Sequence, residues 1–296
     1  MDTKYRIPRF DSRKLYKPYG DKIIAVVGKR GSGKTTCIKG VLSKMPKFSM
    51  GVAFAPTDQM NGTWSTVFPP THVYSEPFDC KFFEERAKEI EDYQMEQKRK
   101  VAEKLKRRPG NTLKGDALNK ECKKYLPPVV VVLDDIFYEK KMRSNPALKR
   151  LILNGRHSNI VLIFALQYLF QIDAELRPNL DLVFFCSEKN PNAQEKLWKE
   201  YFKGAIPKLR DFSRVFSKGT ENHSYLVFLP NANTNKVEEQ LAVFRNPPVA
   251  EPIVGDKYLR AWTRRHYIDK LKVSDEVLEK LRKTRGSAAD RNTLLC

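Results

Sequence analysis

At 296 residues and 41% hydrophobic, the chain is long enough for one large α/β domain with appendages, and too rich in Leu, Val, Ile and Phe to be disordered. A formal net charge of +20 points to a polyanionic partner, because such a field concentrates nucleic acid or an anionic surface around the protein. Five cysteines without a C-x-x-C pair and four scattered histidines indicate neither a disulfide framework nor a zinc site, so a reducing compartment is expected. No N-terminal apolar segment resembles a signal peptide, and the longest apolar run, Ile160 to Leu166, is too short to span a bilayer.

In chain order, Ile23 to Val27 reads as a buried strand, followed by Gly28-Lys29-Arg30-Gly31-Ser32-Gly33-Lys34-Thr35 and then Thr36. Ile38, Val41, Leu42 and Met45 recur at helical spacing behind that loop, one apolar face packing back on the strand. Met50 to Ala55 reads as a second short strand, ended by Pro56-Thr57-Asp58. From Phe82 to Arg108 the composition turns charged and helical until Pro109-Gly110. Its apolar positions (Phe83, Ala87, Ile90, Val101, Leu105) are sparse, which predicts an exposed helix or helical hairpin inserted between core strands rather than a core element. After Pro127-Pro128, the β-branched run Val129 to Leu133 enters Asp134-Asp135 and reads as a central strand of a parallel sheet. Ser144-Asn145-Pro146 opens a helix that Gly155 can terminate. Strands follow at Ile160 to Leu166, ending at Gln167, then at Leu182 to Cys186 after a short helical connection, and at Tyr225 to Leu229. Beyond Asn246-Pro247-Pro248 the pattern weakens into a basic region, Arg260 to Arg285. Strands alternating with helices predict a three-layer α/β sandwich around a mainly parallel sheet, at 23–245, with a lead-in at 1–22, a helical insertion at about 80–126 and a basic tail at 246–296.

The loop matches G-x-x-x-x-G-K-[ST] in full, and its context between strand and helix implies a nucleotide-binding protein. Glycines let successive N-H groups converge on a phosphate chain at a helix N-terminus. Lys34 is placed to neutralise the β/γ-phosphates and the Thr35 hydroxyl to hold Mg²⁺. Asp134, at the carboxyl end of its strand, is expected to hold Mg²⁺ through water or the Thr35 hydroxyl, and Asp135 to orient or deprotonate the attacking water. Gln167 could present a neutral donor to the γ-phosphate or that water. Arg156 either caps helix carbonyls or acts as an arginine finger on a neighbouring subunit.

The loop, the strand V-V-V-V-L-D-D, and N-G-R-H-x-x-I running into a hydrophobic strand that ends in Gln resemble the poxvirus-type DNA-packaging ATPases of nucleocytoplasmic large DNA viruses. Those enzymes belong to the FtsK-HerA superfamily of ring-shaped DNA pumps, and the likeness covers about Ile23 to Leu229. It implies a RecA/FtsK-HerA-like P-loop fold, ATP and Mg²⁺ as ligands, and catalytic roles for Lys34, Asp135, Gln167 and Arg156. It further implies a pentameric or hexameric ring on double-stranded DNA, capsid or portal-vertex partners, and a place in the host cytoplasm or the virion. Many superfamily members carry Glu where this chain has Asp135, one methylene shorter. The insertion from Phe82 to Leu126 and the tail after Pro247 lie outside the motif match. Two other readings stay open at this level, a P-loop helicase or nucleotide kinase and a non-enzymatic nucleic-acid-binding scaffold. A GTPase is disfavoured because Asn235-Lys236-Val237-Glu238 is the nearest approach to an N-K-x-D motif.

Overall fold

The computed structural model describes residues 5–16, 21–58, 62–75, 79–138, 140–232, 234, 236–245 and 251–266. Among the described residues eight strands form one sheet in the order β3-β2-β4-β5-β1-β6-β7-β8. They are β1 (Ile23–Val27), β2 (Met50–Phe54), β3 (Val73–Tyr74), β4 (Val129–Asp134), β5 (Ile160–Leu166), β6 (Leu182–Phe185), β7 (Ser224–Phe228) and β8 (Leu241–Arg245). From β3 to β6 the pairing is parallel, and β7 and β8 close one side antiparallel. Every residue of β1, β2, β4, β5 and β6 is buried, as uninterrupted apolar runs require when both faces of a sheet are covered.

Alternate residues feed two separate cores. Ile24 and Val26 face α1 (Lys34–Lys44), where Cys37, Ile38, Val41, Leu42 and Met45 pack as the helical spacing predicts. Ile23, Ala25 and Val27 face the opposite layer, built by α2 (Cys80–Lys106), α4 (Pro146–Asn154) and α6 (Leu209–Gly219). The three-layer α/β sandwich expected from the sequence is the observed architecture. The lead-in docks on the closing side: Phe10 N-H donates to Val243 O at 2.9 Å, and the Phe10 ring meets Phe184 and Phe244 edge-on.

The charged insertion differs from expectation. Its first half is a core element, because Phe83, Ala87 and Ile90, at most 2% exposed, form a helical stripe that covers β2 and β4. Gln94, on the same face one turn later, is fully buried and donates from Nε2 to the carbonyls of Pro127, Ser158 and Asn159 at 3.1, 2.8 and 3.4 Å. Only the second half is a satellite hairpin, with Leu105 packed on Leu118 and Cys122 of α3 (Gly115–Tyr125). The sparse pattern reflects a single apolar stripe on a long helix; the other faces are charged because they meet water.

At α4, Asn145 is the N-cap, its Oδ1 accepting from Ala147 N-H at 2.9 Å, with Pro146 at the first helical position. Gly155 does end the helix, but with φ −54° it is right-handed, and the chain continues as a 3-10 turn to Ser158. The left-handed residue that stops it is Asn159, φ 53°. The short helical connection before β6 consists of two 3-10 turns, Leu169–Gln171 and Arg177–Asn179. The basic stretch expected from Arg260 is described only to His266, within α7 (Lys257–His266); the remainder and the Asn246-Pro247-Pro248 boundary lie outside the described residues.

Candidate nucleotide site

Strand β1 ends in the middle of the sheet, held by β5 on one side and β6 on the other: Gly28 N-H donates to Leu166 O at 2.9 Å and Cys186 N-H to Val27 O at 2.8 Å. The chain then has room for a loop but little for side chains at its root. A Cβ on Gly28 would lie 2.4 Å from Ser32 Oγ and 2.6 Å from Cys186 Cβ. Gly31 and Gly33 adopt φ of 75° and 92°, left-handed values that only glycine takes without strain. Gly33 is also the N-cap of α1 and brings no side chain to its first turn, so those amides remain available to an anion. Lys34 is buried and folds back over the loop, Nζ donating to the carbonyls of Gly28 at 2.9 Å and Lys29 at 3.2 Å. Thr35 is half-buried beside it, while Lys29, Arg30 and Thr36 face outward. An uncapped helix start, two left-handed glycines and a buried ammonium together fit a polyphosphate.

Strand β4 is separated from β1 by β5, and the register pairs Asp134 with Ala165 at the same carboxyl edge as the loop. Asp134 is 9% exposed, and burial raises its carboxyl above the ordinary carboxylate range. A hydrogen bond from Trp64 Nε1 at 2.8 Å and the charge of Lys34 oppose that rise, while Asp135 reinforces it. Asp135 follows at φ 56°, a left-handed conformation uncommon outside glycine though Asp is among the residues that tolerate it, and is half-buried. Gln167, the first residue after β5, is exposed, its backbone N-H donating to Gln171 Oε1 at 2.7 Å. Lys34, Thr35, Asp134, Asp135 and Gln167 are thus brought to one edge.

Arg156 is not among them. It precedes β5 at the amino edge, about 20 Å from the loop at ~3.3 Å per strand residue. There its Nη2 donates to Asn179 O at 2.5 Å and pairs with Asp181 at 3.3 Å, and Asp181 in turn accepts from Ile23 N-H at 2.8 Å. Arg156 therefore has no access to the loop of its own chain.

Several residues at the site carry no motif. Asp58, read only as a strand stop, and Trp64 form a buried turn against Asp134. Tyr225 OH, reaching across from β7, donates to Gly33 O at 3.1 Å. A cavity of about 350 Å³ adjoins the loop between Gly28, Gln167, Phe170, Cys186, Glu188 and Lys196.

The model of the Poxvirus A32 protein family matches residues 8–232, which contain the loop, the acid strand and Gln167. The chain belongs to that family. The likeness carried by the loop, the Asp pair and the R-H-x-x-I stretch is therefore a family membership, that of the poxvirus A32 packaging ATPases. Relatives of this A32 family member include an uncharacterised protein of Acanthamoeba polyphaga mimivirus, 26% identical over 82% of this chain and 78% of its own length. An uncharacterised protein of Invertebrate iridescent virus 6 is 27% identical over 79% of this chain and 83% of its own length. Among solved structures, the genome packaging NTPase B204 of Sulfolobus turreted icosahedral virus 2 aligns with 78% of this chain and 98% of its own, with a TM-score of 0.48 and 16% identity. Among the described residues no helix is long and apolar enough to cross a membrane.

Proposed function

We propose that this chain is an ATP-driven motor that moves double-stranded DNA into a viral capsid, working as a homo-oligomeric ring at a capsid or portal vertex within the infected cell or virion. The observation that carries this reading is the meeting of Lys34, Asp134, Asp135 and Gln167 at one edge of a parallel sheet, in an A32 family chain of net charge +20. The α1 amides and Lys34 bind and orient the phosphates of ATP, the lysine exchanging its loop carbonyls for β/γ oxygens. Thr35 and Asp134 would hold Mg²⁺, which supplies charge neutralisation at the phosphates. Asp135 orients or deprotonates the attacking water, and Gln167 donates to that water or to the γ-phosphate. Arg156 acts in trans: with Nη2 committed to Asn179 and Asp181, Nη1 and Nε take no partner among the described residues and the side chain is 35% exposed. A buttressed guanidinium of this kind is suited to stabilise transition-state charge in a neighbour's site.

The duplex is held through phosphates rather than bases, as transport irrespective of sequence requires. Within the insertion, Arg99 and Lys100 are occupied by Glu96 and Glu103, whereas Lys104, Lys106 and Arg107 carry no ion pair among the described residues. The decisive experiment measures ATP hydrolysis with and without duplex DNA alongside the mass of the assembly. Stimulation by duplex in a ring-sized particle is the expected result; DNA-independent turnover by a monomer would refute the reading. Log affinity for duplex falls linearly with log salt, at about 0.9 per phosphate neutralised. Replacing Lys104, Lys106 and Arg107 by Gln flattens that slope if the hairpin grips DNA, and an unchanged slope removes it from the grip.

A further inference from the structure

The segment between β2 and β3 belongs to no nucleotide-binding motif, yet it enters the site through Trp64. This indole is 1% exposed in the core on the α1 face, edge-on to Phe68 at 6.0 Å between ring centroids. A purely apolar packing role would leave its N-H pointing at carbon or at a backbone carbonyl. Instead Nε1 donates to Oδ2 of Asp134 at 2.8 Å, in a bond buried from water. Among the described residues the other oxygen, Oδ1, accepts no hydrogen bond. One oxygen of the carboxylate is therefore fixed by the protein and the other is left for the site.

The turn that carries Trp64 is itself clamped. Asp58, 4% exposed at the end of β2, accepts Trp64 N-H on Oδ1 at 2.7 Å and the Ser65 hydroxyl on Oδ2 at 3.2 Å. Its backbone carbonyl accepts Gly62 N-H at 2.7 Å, and Trp64 O accepts the N-H groups of Val67 and Phe68 at 3.0 and 2.8 Å. A buried carboxylate spent on holding one backbone amide and one hydroxyl of a turn is costly unless the turn must be placed to within a fraction of an ångström.

We propose that Trp64 is a positioning residue for Mg²⁺: by holding Asp134 Oδ2 it fixes the carboxylate with Oδ1 left to take the ion, and Asp58 fixes the indole in that pose. This rests on the nucleotide site read above. Outer partners that orient a metal-binding group are worth about 10- to 100-fold in metal affinity.

The test uses the full chain and two measurements. In the first, Trp64→Phe keeps an aromatic ring in the core and removes the N-H donor together with part of the indole volume. Binding of a non-hydrolysable ATP analogue is followed against Mg²⁺ concentration. The half-saturating Mg²⁺ concentration rises about 10- to 100-fold, while analogue affinity in EDTA stays at the wild-type value. A lowered melting temperature with unchanged Mg²⁺ half-saturation overturns the proposal and leaves Trp64 a packing residue. The second measurement does not depend on that variant folding. The chain has three tryptophans, so Trp198→Phe/Trp262→Phe leaves Trp64 as the sole indole emitter. Its emission shifts when Mg²⁺ is added to the analogue complex and not when analogue is added in EDTA; the same response in both overturns the proposal. If wild-type protein binds no analogue under either condition, the nucleotide reading fails and this inference with it. Mg²⁺-dependent binding that is identical in Trp64→Phe defeats the inference alone.

Discussion

The two edges of the sheet use polar groups in opposite ways. At the amino edge donors are directed to the protein itself: Arg156 Nη2 to Asn179 and Asp181, Gln94 Nε2 to three carbonyls, and Asn159 Nδ2 to Leu126 O at 2.7 Å. At the carboxyl edge the backbone takes left-handed turns at Gly31, Gly33 and Asp135, the α1 start has no side-chain cap, and Gln167 stands exposed. Similar residue types are structural cement in one place and free valence in the other. The difference follows from strand order: β1 lies where the order reverses, and a parallel sheet leaves its crevice at the carboxyl ends of the strands there.

The largest effect is expected where the comparison is most exposed to failure, at Arg156. If its free guanidinium nitrogens serve a neighbour, Arg156→Ala loses about 10³ to 10⁵ in turnover while ATP binding persists. Mixed rings sharpen this: Lys34→Ala subunits, inactive in their own sites, restore activity to Arg156→Ala subunits. A fall in melting temperature with wild-type turnover would instead assign Arg156 wholly to the cement of its own edge. At the carboxyl edge, Asp135→Asn keeps size but removes the charge, so ATP still binds and turnover drops by about 10² to 10⁴ in a single-turnover assay. Turnover at the wild-type rate would leave Asp134 as the one catalytic carboxylate of the pair.

Smaller effects separate the edges in stability. Gln94→Leu deprives buried carbonyls of their donor, and chemical denaturation should show a loss of about 1–3 kcal/mol with nucleotide affinity unchanged. The glycine pair gives the finest contrast. Gly28→Ala forces a methyl to within 2.4 Å of Ser32 Oγ, so calorimetric nucleotide binding weakens as the loop is displaced. Gly155→Ala places its methyl 3.6 Å from Ile160 Cβ in a right-handed conformation, ordinary contact, and should stabilise by about 0.4–1 kcal/mol. Destabilisation there would show that the junction before β5 is more crowded than its backbone indicates.

The strands of the parallel core, the phosphate loop, α1 and the acid pair were legible because each is a local pattern: a run of buried apolar residues, fixed glycines, a 3.6-residue stripe. The stripe Phe212, Val215, Phe216 in α6 had the same legibility, although its helix was not among the expected elements. Two-residue β3 has no pattern to read, and β8 follows directly on the short helix Val237–Gln240, with no turn signal to mark its start. The insertion was misjudged because a half-buried helix and an exposed one share composition; what distinguishes them is whether a sheet lies under Phe83 and Ile90.

By itself, the sequence determined that Gly28 to Thr35 carries the spacing of a phosphate loop between a strand and a helix, that Asp134 ends a buried strand, and that both belong to one α/β fold, since these follow from neighbours along the chain. Tertiary structure alone decided that Arg156 lies at the opposite edge from its own loop, that Gln94 bolts α2 to the sheet, and that Trp64 grips Asp134. Those pairings join residues 23 to 70 positions apart, and no local propensity encodes them. They are selected when the sheet orders its strands and packing brings acceptors within reach of each buried donor.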